Sequence, residues 1–154
     1  MKRLTLIINL ILFSSVAYTQ TVDDYIEVAR DVLKTEKKAA IAEAMMLTDA
    51  ESGPFWDMYN EFNYELSKVH NLRIEAIKDF AANYENLSDE KADELWEKVL
   101  NHQTQLLKLK KSYYKKFKKI LPAGKAARYF QAENKIEALI TAELALEIPL
   151  IETR

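Results

Sequence analysis

His70 and His102 are the only histidines of the chain, and there is no cysteine. Imidazole is the side chain suited to proton transfer or metal ligation near neutral pH. Most zinc sites take three or more protein ligands. A metal here would therefore need carboxylates such as Glu65, Glu75 or Glu97 beside His70 and His102. Without them, the two imidazoles read as packing groups between helices. A second concentration of chemistry is basic: Lys108, Lys110, Lys111, Lys115, Lys116, Lys118 and Lys119 surround Tyr113 and Tyr114. Lysine beside aromatic rings suits nucleic acid, an acidic or unfolded partner, or a hydrated helix end. Asp89, Glu90, Asp93, Glu94 and Glu97 lie upstream on the same segment, so its charges run with a helix dipole. Glu133, Glu137, Glu143 and Glu147 recur at the spacing of a hydrated helix face. No Ser-His-Asp order or glycine-rich phosphate loop stands out. The sequence points to no enzyme and no cofactor.

All of these residues fall on stretches that read as helix. Gly53, Pro54, Pro122, Gly124 and Pro149 are the only glycines and prolines in 154 residues. A sheet-rich chain needs more turn residues than that, whereas long runs of Ala, Leu, Glu, Lys and Gln favour helix. The predicted fold is all-α: four helical segments around a long central antiparallel hairpin. The first covers residues 22–46, its charged middle suggesting loose docking. The second opens at Thr48, where Thr48 and Glu51 form a capping box, and continues to about residue 84 with an irregularity expected at Gly53-Pro54. Phe55, Tyr59, Phe62, Leu66, Val69, Ala76 and Phe80 give it the period of an amphipathic helix. The third runs from Ser88 to about Leu121. It carries one stripe through Leu95, Val99, His102, Leu106, Leu109 and Tyr113, and another through Trp96, Leu100, Leu107, Tyr114 and Phe117. Two stripes predict more than one neighbour. Pro122 ends it, and the fourth covers residues 123–146. A hairpin turning near residue 87 sets His70 and His102 at the same height.

Ahead of these helices, Met1-Lys2-Arg3 is followed by an apolar run to Phe13 and then by small or polar residues to Gln20. That order reads as a secretory signal peptide over residues 1–20, cut before Tyr18 or Gln20. Its apolar core of about ten residues is shorter than the ~20 a spanning helix needs. Residues 21–154 then form one domain with 20 basic and 24 acidic side chains, net −4. Export and acidity argue against nucleic acid as a partner. With no cysteine, an oxidising compartment adds no disulfide.

Leu47-Thr48-Asp49-Ala50-Glu51, opening the long hairpin, resembles the LTxxQ motif of the Spy/CpxP-like periplasmic helical proteins. Leu121-Pro122-Ala123-Gly124-Lys125 stands where that family has its second copy. Glu51 replaces the glutamine, and the second copy keeps only Leu121. The resemblance spans roughly residues 25–140. It implies a periplasmic, curved helical homodimer that shields unfolded envelope proteins without ATP, or that reports envelope stress to a membrane sensor. The residues offered to a client would be Phe55, Trp56, Tyr59, Lys108, Lys111, Tyr114 and Lys115. Some relatives bind metal, so a metal-responsive sensor or buffer using His70 and His102 is the alternative.

Overall fold

The computed structural model describes the backbone of residues 22–151 and the side chains of residues 33–151. The signal peptide expected at residues 1–20 lies outside the described residues. Among the described residues every regular element is helical, in the order foreseen: α1 (Val22–Met45), α2 (Asp49–Asn83), a 3-10 turn (Tyr84–Asn86), α3 (Asp89–Ile120) and α4 (Ala123–Glu147). The chain divides into a unit ending at Glu43 and a second unit from Ala44 onward. Within the first unit, Lys34, Thr35, Glu36 and Lys38 are exposed on α1.

The local signals act as their chemistry requires. Met46 adopts a left-handed φ of 43°, a conformation that ends helices just past their last turn. Thr48 caps α2: Glu51 Oε2 accepts from the Thr48 backbone N–H and from its hydroxyl, each at 2.9 Å. The irregularity expected at Gly53-Pro54 is absent, and α2 runs through Pro54 unbroken. Proline removes the donor for the Ala50 carbonyl, but Ala50, Gly53 and Pro54 are all exposed, so water reaches that site. Ser88 Oγ accepts from the Lys91 amide at 3.2 Å to start α3. The Leu121 N–H closes its last turn on the Phe117 carbonyl, ahead of Pro122.

The second unit is built on α2 packed against α3, with α4 laid along α3. Its core is aromatic and lies at one end, where α2 begins, α3 ends and α4 begins. Phe55, Phe62, Phe117 and Tyr129 are fully buried there. Phe117 lies 4.6 Å from Tyr129, 5.7 Å from Phe55 and 5.7 Å from Phe130, centroid to centroid. Phe62 meets Phe130 edge-on at 5.6 Å. Such tilted and edge-to-face pairs add to simple area burial. The opposite end, near the hairpin turn, is tied by charge. Asp79 accepts from Lys91 at 2.8 Å and from Lys98 at 2.5 Å. Those two ammonium groups hold its carboxyl below the usual carboxylate range.

The aromatic end should dominate stability. Phe62→Ala and Phe117→Ala are each expected to cost about 3–5 kcal/mol, as large cavities in a well-packed core do. Leu146→Ala, at an exposed site, should change stability by less than about 0.5 kcal/mol. Urea unfolding followed by circular dichroism checks the contrast.

Candidate functional site

The histidines meet as the hairpin symmetry predicts. The His70 and His102 rings face each other across α2 and α3 with centroids 5.8 Å apart. His102 is 6% exposed, and among the described residues its Nε2 has no hydrogen bond. Burial lowers its pKa, since a charged imidazole would lose hydration. Arg73 and Lys110 push the same way, while Glu137 opposes them. Arg73, Lys110 and Glu137 were not legible as neighbours of His102 from the hairpin alone. Glu137 comes from α4, which Lys110 binds through both Glu137 and Asn134 Oδ1, the latter at 2.8 Å. Arg73 Nη1 donates to Thr141 Oγ1 at 3.1 Å. The proposed carboxylate partners do not assemble a ligand set: among the described residues, no group of three or more His, Asp or Glu is placed to hold a metal.

Nearer the aromatic end is a buried acid. Glu133 of α4 is 3% exposed. Burial first, and its negative charge second, push the phenols of Tyr59 and Tyr129 up in pKa. The sequence placed Glu133 on a hydrated face with Glu137, Glu143 and Glu147. Helical spacing in fact sets Glu133 on the aromatic face, four residues after Tyr129 and three after Phe130; only the usual preference of a carboxylate for water argued the other way.

The two segments of the capping motif come together in space. Lys125 Nζ donates to Glu51 Oε2 at 2.5 Å and lies 3.5 Å from the Met46 carbonyl. Arg128 Nε donates to the Ala44 carbonyl at 2.6 Å. Lys125 and the Thr48 amide together draw the Glu51 carboxyl down to about 2. Leu121 is buried at the end of α3, and Leu47 is half-buried before α2. Glu51 and Lys125, one from each segment, thus form a clasp between the start of α2 and the start of α4.

The expected client surface divides. Phe55 and Tyr59 are core, not surface: both are buried against Tyr129. Trp56 is half-buried beside them. The lysine cluster also splits. Lys116 binds Glu61 Oε1 at 2.8 Å and lies over the Tyr113 ring, Lys110 is tied to α4, and Lys118 sits 5.0 Å from the Tyr114 ring. Lys108, Lys111 and Lys115 are exposed and form no ion pair or hydrogen bond among the described residues. Tyr114 is half-buried against Phe130, at 5.7 Å.

The two stripes predicted more than one neighbour for α3, and it packs on both α2 and α4. The second stripe is nevertheless covered unevenly: Trp96 is 59% exposed, Leu107 54% and Leu100 38%. Only its C-terminal members Tyr114 and Phe117 pack on Phe130 of α4. Further along, Leu139 and Leu146 of α4 are exposed too. A groove of about 510 Å³ remains between the helices, lined in part by Tyr114, Phe130, Gln131 and Lys135. The result is an apolar strip on α3 with lysines at one end.

The His102 environment sets a pH dependence. Its folded pKa lies below its unfolded value of about 6.5. Unfolded chains then bind more protons, so stability is full above pH 6.5 and falls as pH drops toward the folded pKa. The urea midpoint is expected to decline as the pH falls below about 6.5. A His102→Leu variant should lose most of that slope. A slope unchanged by the substitution would show that His102 is not its source. Comparison with known proteins finds no matching family, curated protein or solved structure.

Proposed function

We propose that the chain is an exported, ATP-independent, chaperone-like binding protein of the Spy/CpxP kind, which holds unfolded or envelope proteins in the periplasm or accompanies a membrane stress sensor. One observation carries the reading: Trp96, Leu100 and Leu107 lie uncovered on α3, followed by the exposed lysines Lys108, Lys111 and Lys115, which have no ion pair among the described residues. Exposed apolar surface bordered by charge marks an interaction site. Unfolded chains offer apolar segments and, on acidic proteins, carboxylates, and such a strip meets both without requiring a shaped pocket. Phe55 and Tyr59 have no part in it, because they are core. The export pattern of residues 1–20, the Thr48–Glu51 cap and its link to Lys125 support the reading.

Turbidity of an aggregating, chemically unfolded client tests the proposal. The protein at stoichiometric excess is expected to suppress aggregation, and Leu100→Glu/Leu107→Glu should lose at least half of that effect while keeping its helical circular dichroism. No suppression by the unaltered protein would remove the reading.

A metal-responsive sensor is the second reading, favoured by the adjacent His70 and His102 rings and by a buried His102 Nε2 that has no hydrogen bond among the described residues. A depressed His102 pKa keeps the imidazole neutral, the form that ligates metal. Calorimetry with zinc, copper and nickel should give a binding heat that His102→Leu abolishes. Absence of heat with all three would end this alternative.

A further inference from the structure

The groove between α3 and α4 has an apolar floor and a rim of one charge. Its apolar lining is the half-buried Tyr114, the buried Phe130 and the methyl groups of Ala127 and Ala138. A larger residue at either alanine would narrow it; with alanine at both, a volume of about 510 Å³ stays open. Gln131 and Asn134 add two amides to the lining, and Lys135 adds a positive charge. Lys110 meets Asn134 and Tyr114 meets Phe130. That antiparallel register sets Lys111 of α3 within about 3 Å of the level of Lys135. Lys111 also stands three residues before Tyr114, on the same side of α3. The two lysines therefore border one groove from opposite helices at one height. Both are exposed, and neither has an ion pair or hydrogen bond among the described residues. The carboxylates of α4 nearest to them do not neutralise this rim: Glu137 is held by Lys110, and Glu133 is buried.

Small-ligand sites are concave, mostly apolar and marked by a few polar groups. Here the polar groups are cations and amides, which select an amphiphile with a negative head. We propose that the groove binds a free medium-chain fatty acid, its carboxylate held between Lys111 and Lys135 and its alkyl chain laid over Tyr114, Phe130 and Ala127. Asn134 Oδ1 accepts from Lys110, which leaves the Asn134 amide N–H groups to donate to the carboxylate. From Lys135 to Ala127 is eight residues of α4, about 12 Å along the axis. An extended alkyl chain of about ten carbons has that length. The methylene stems of the lysines lie beside the chain while their charged ends stay at the rim. The site is distant along α3 from Trp96 and Leu100, so it does not depend on the binding of unfolded proteins, although Lys111 borders both surfaces.

Equilibrium dialysis of the purified protein against radiolabelled decanoate, below the concentration at which it forms micelles, is the first measurement. Saturable binding of one decanoate per chain is expected, and no saturation up to about 1 mM overturns the inference. Affinity should rise about two- to fourfold per methylene from hexanoate to decanoate and then level off, as apolar area is buried until the groove is full. Equal affinity for all chain lengths overturns the alkyl seat. Decanol and decyltrimethylammonium should bind at least about tenfold more weakly than decanoate, because neither offers the lysines a negative head; equal binding overturns the carboxylate clamp. Lys111→Glu/Lys135→Glu should lose decanoate by about tenfold or more and favour decyltrimethylammonium instead, with unchanged helical circular dichroism. Ala127→Trp should obstruct decanoate while leaving the weaker binding of hexanoate in place. A decanoate affinity unchanged by both substitutions overturns the assigned groove. Leu146→Glu, at an exposed leucine elsewhere on α4, should leave decanoate binding unchanged, and an equal loss there would show adsorption to any apolar surface. Sedimentation with anionic phospholipid vesicles separates a bilayer from a free acid: vesicle binding without decanoate binding overturns the proposal. Client turbidity is a separate readout, so either proposal can fail alone.

Discussion

Phe117 stands at the junction on which the second unit depends. Its ring contacts Phe55 and Phe62 of α2 and Tyr129 and Phe130 of α4. A chain without cysteine must hold its helices by packing, and it concentrates that packing where three helix ends meet. Burying several aromatic side chains in one place supplies ~1.5–3 kcal/mol for each, against which single exposed ion pairs count for little. The ion pairs and the capping box have a different part. They fix where helices begin, which face turns inward, and how α4 is held beside α2 and α3.

Much of this was legible in the residues. Five glycines and prolines left little besides helix, and capping chemistry at Thr48 and Ser88 placed two helix starts. The inward stripe of α3 followed from periodicity alone: Leu95, His102, Leu106 and Tyr113 are buried. Hairpin symmetry brought His70 to His102. Periodicity failed where it had to choose between two apolar lines. Trp96, Leu100 and Leu107 look as hydrophobic as the buried set, and only tertiary packing decides which line is covered. Pro54 misled for a related reason: its cost depends on whether water reaches the freed carbonyl, which is a property of exposure.

The candidate site was legible only in part. Phe55 and Tyr59 were offered as surface because aromatic rings serve cores and interfaces equally well. The lysine cluster was visible as composition, yet its division into tied and untied members depends on Glu61, Asn134 and Glu137, which lie on other helices. Thr48 and Glu51 read as a local cap. Their longer reach, through Lys125 to the start of α4, required the corner at Pro122 to return the chain. In each case the side chain's type was informative and its distant partner was not.

The clasp between Glu51 and Lys125 also bears on the order in which the chain assembles. The hairpin of α2 and α3 closes through a 3-10 turn and a few flanking residues, so its contacts begin locally and form early. Glu51 and Lys125 are separated by 74 positions, and joining them carries a larger closure entropy. Once α3 is laid back along α2, the two arrive at the same end, and Pro122 needs only to turn α4 inward. The clasp is thus a late lock on a preformed hairpin. A chain that folds in this sequence commits its local helices first and leaves α4, with Tyr129 and Phe130, to complete the aromatic end last.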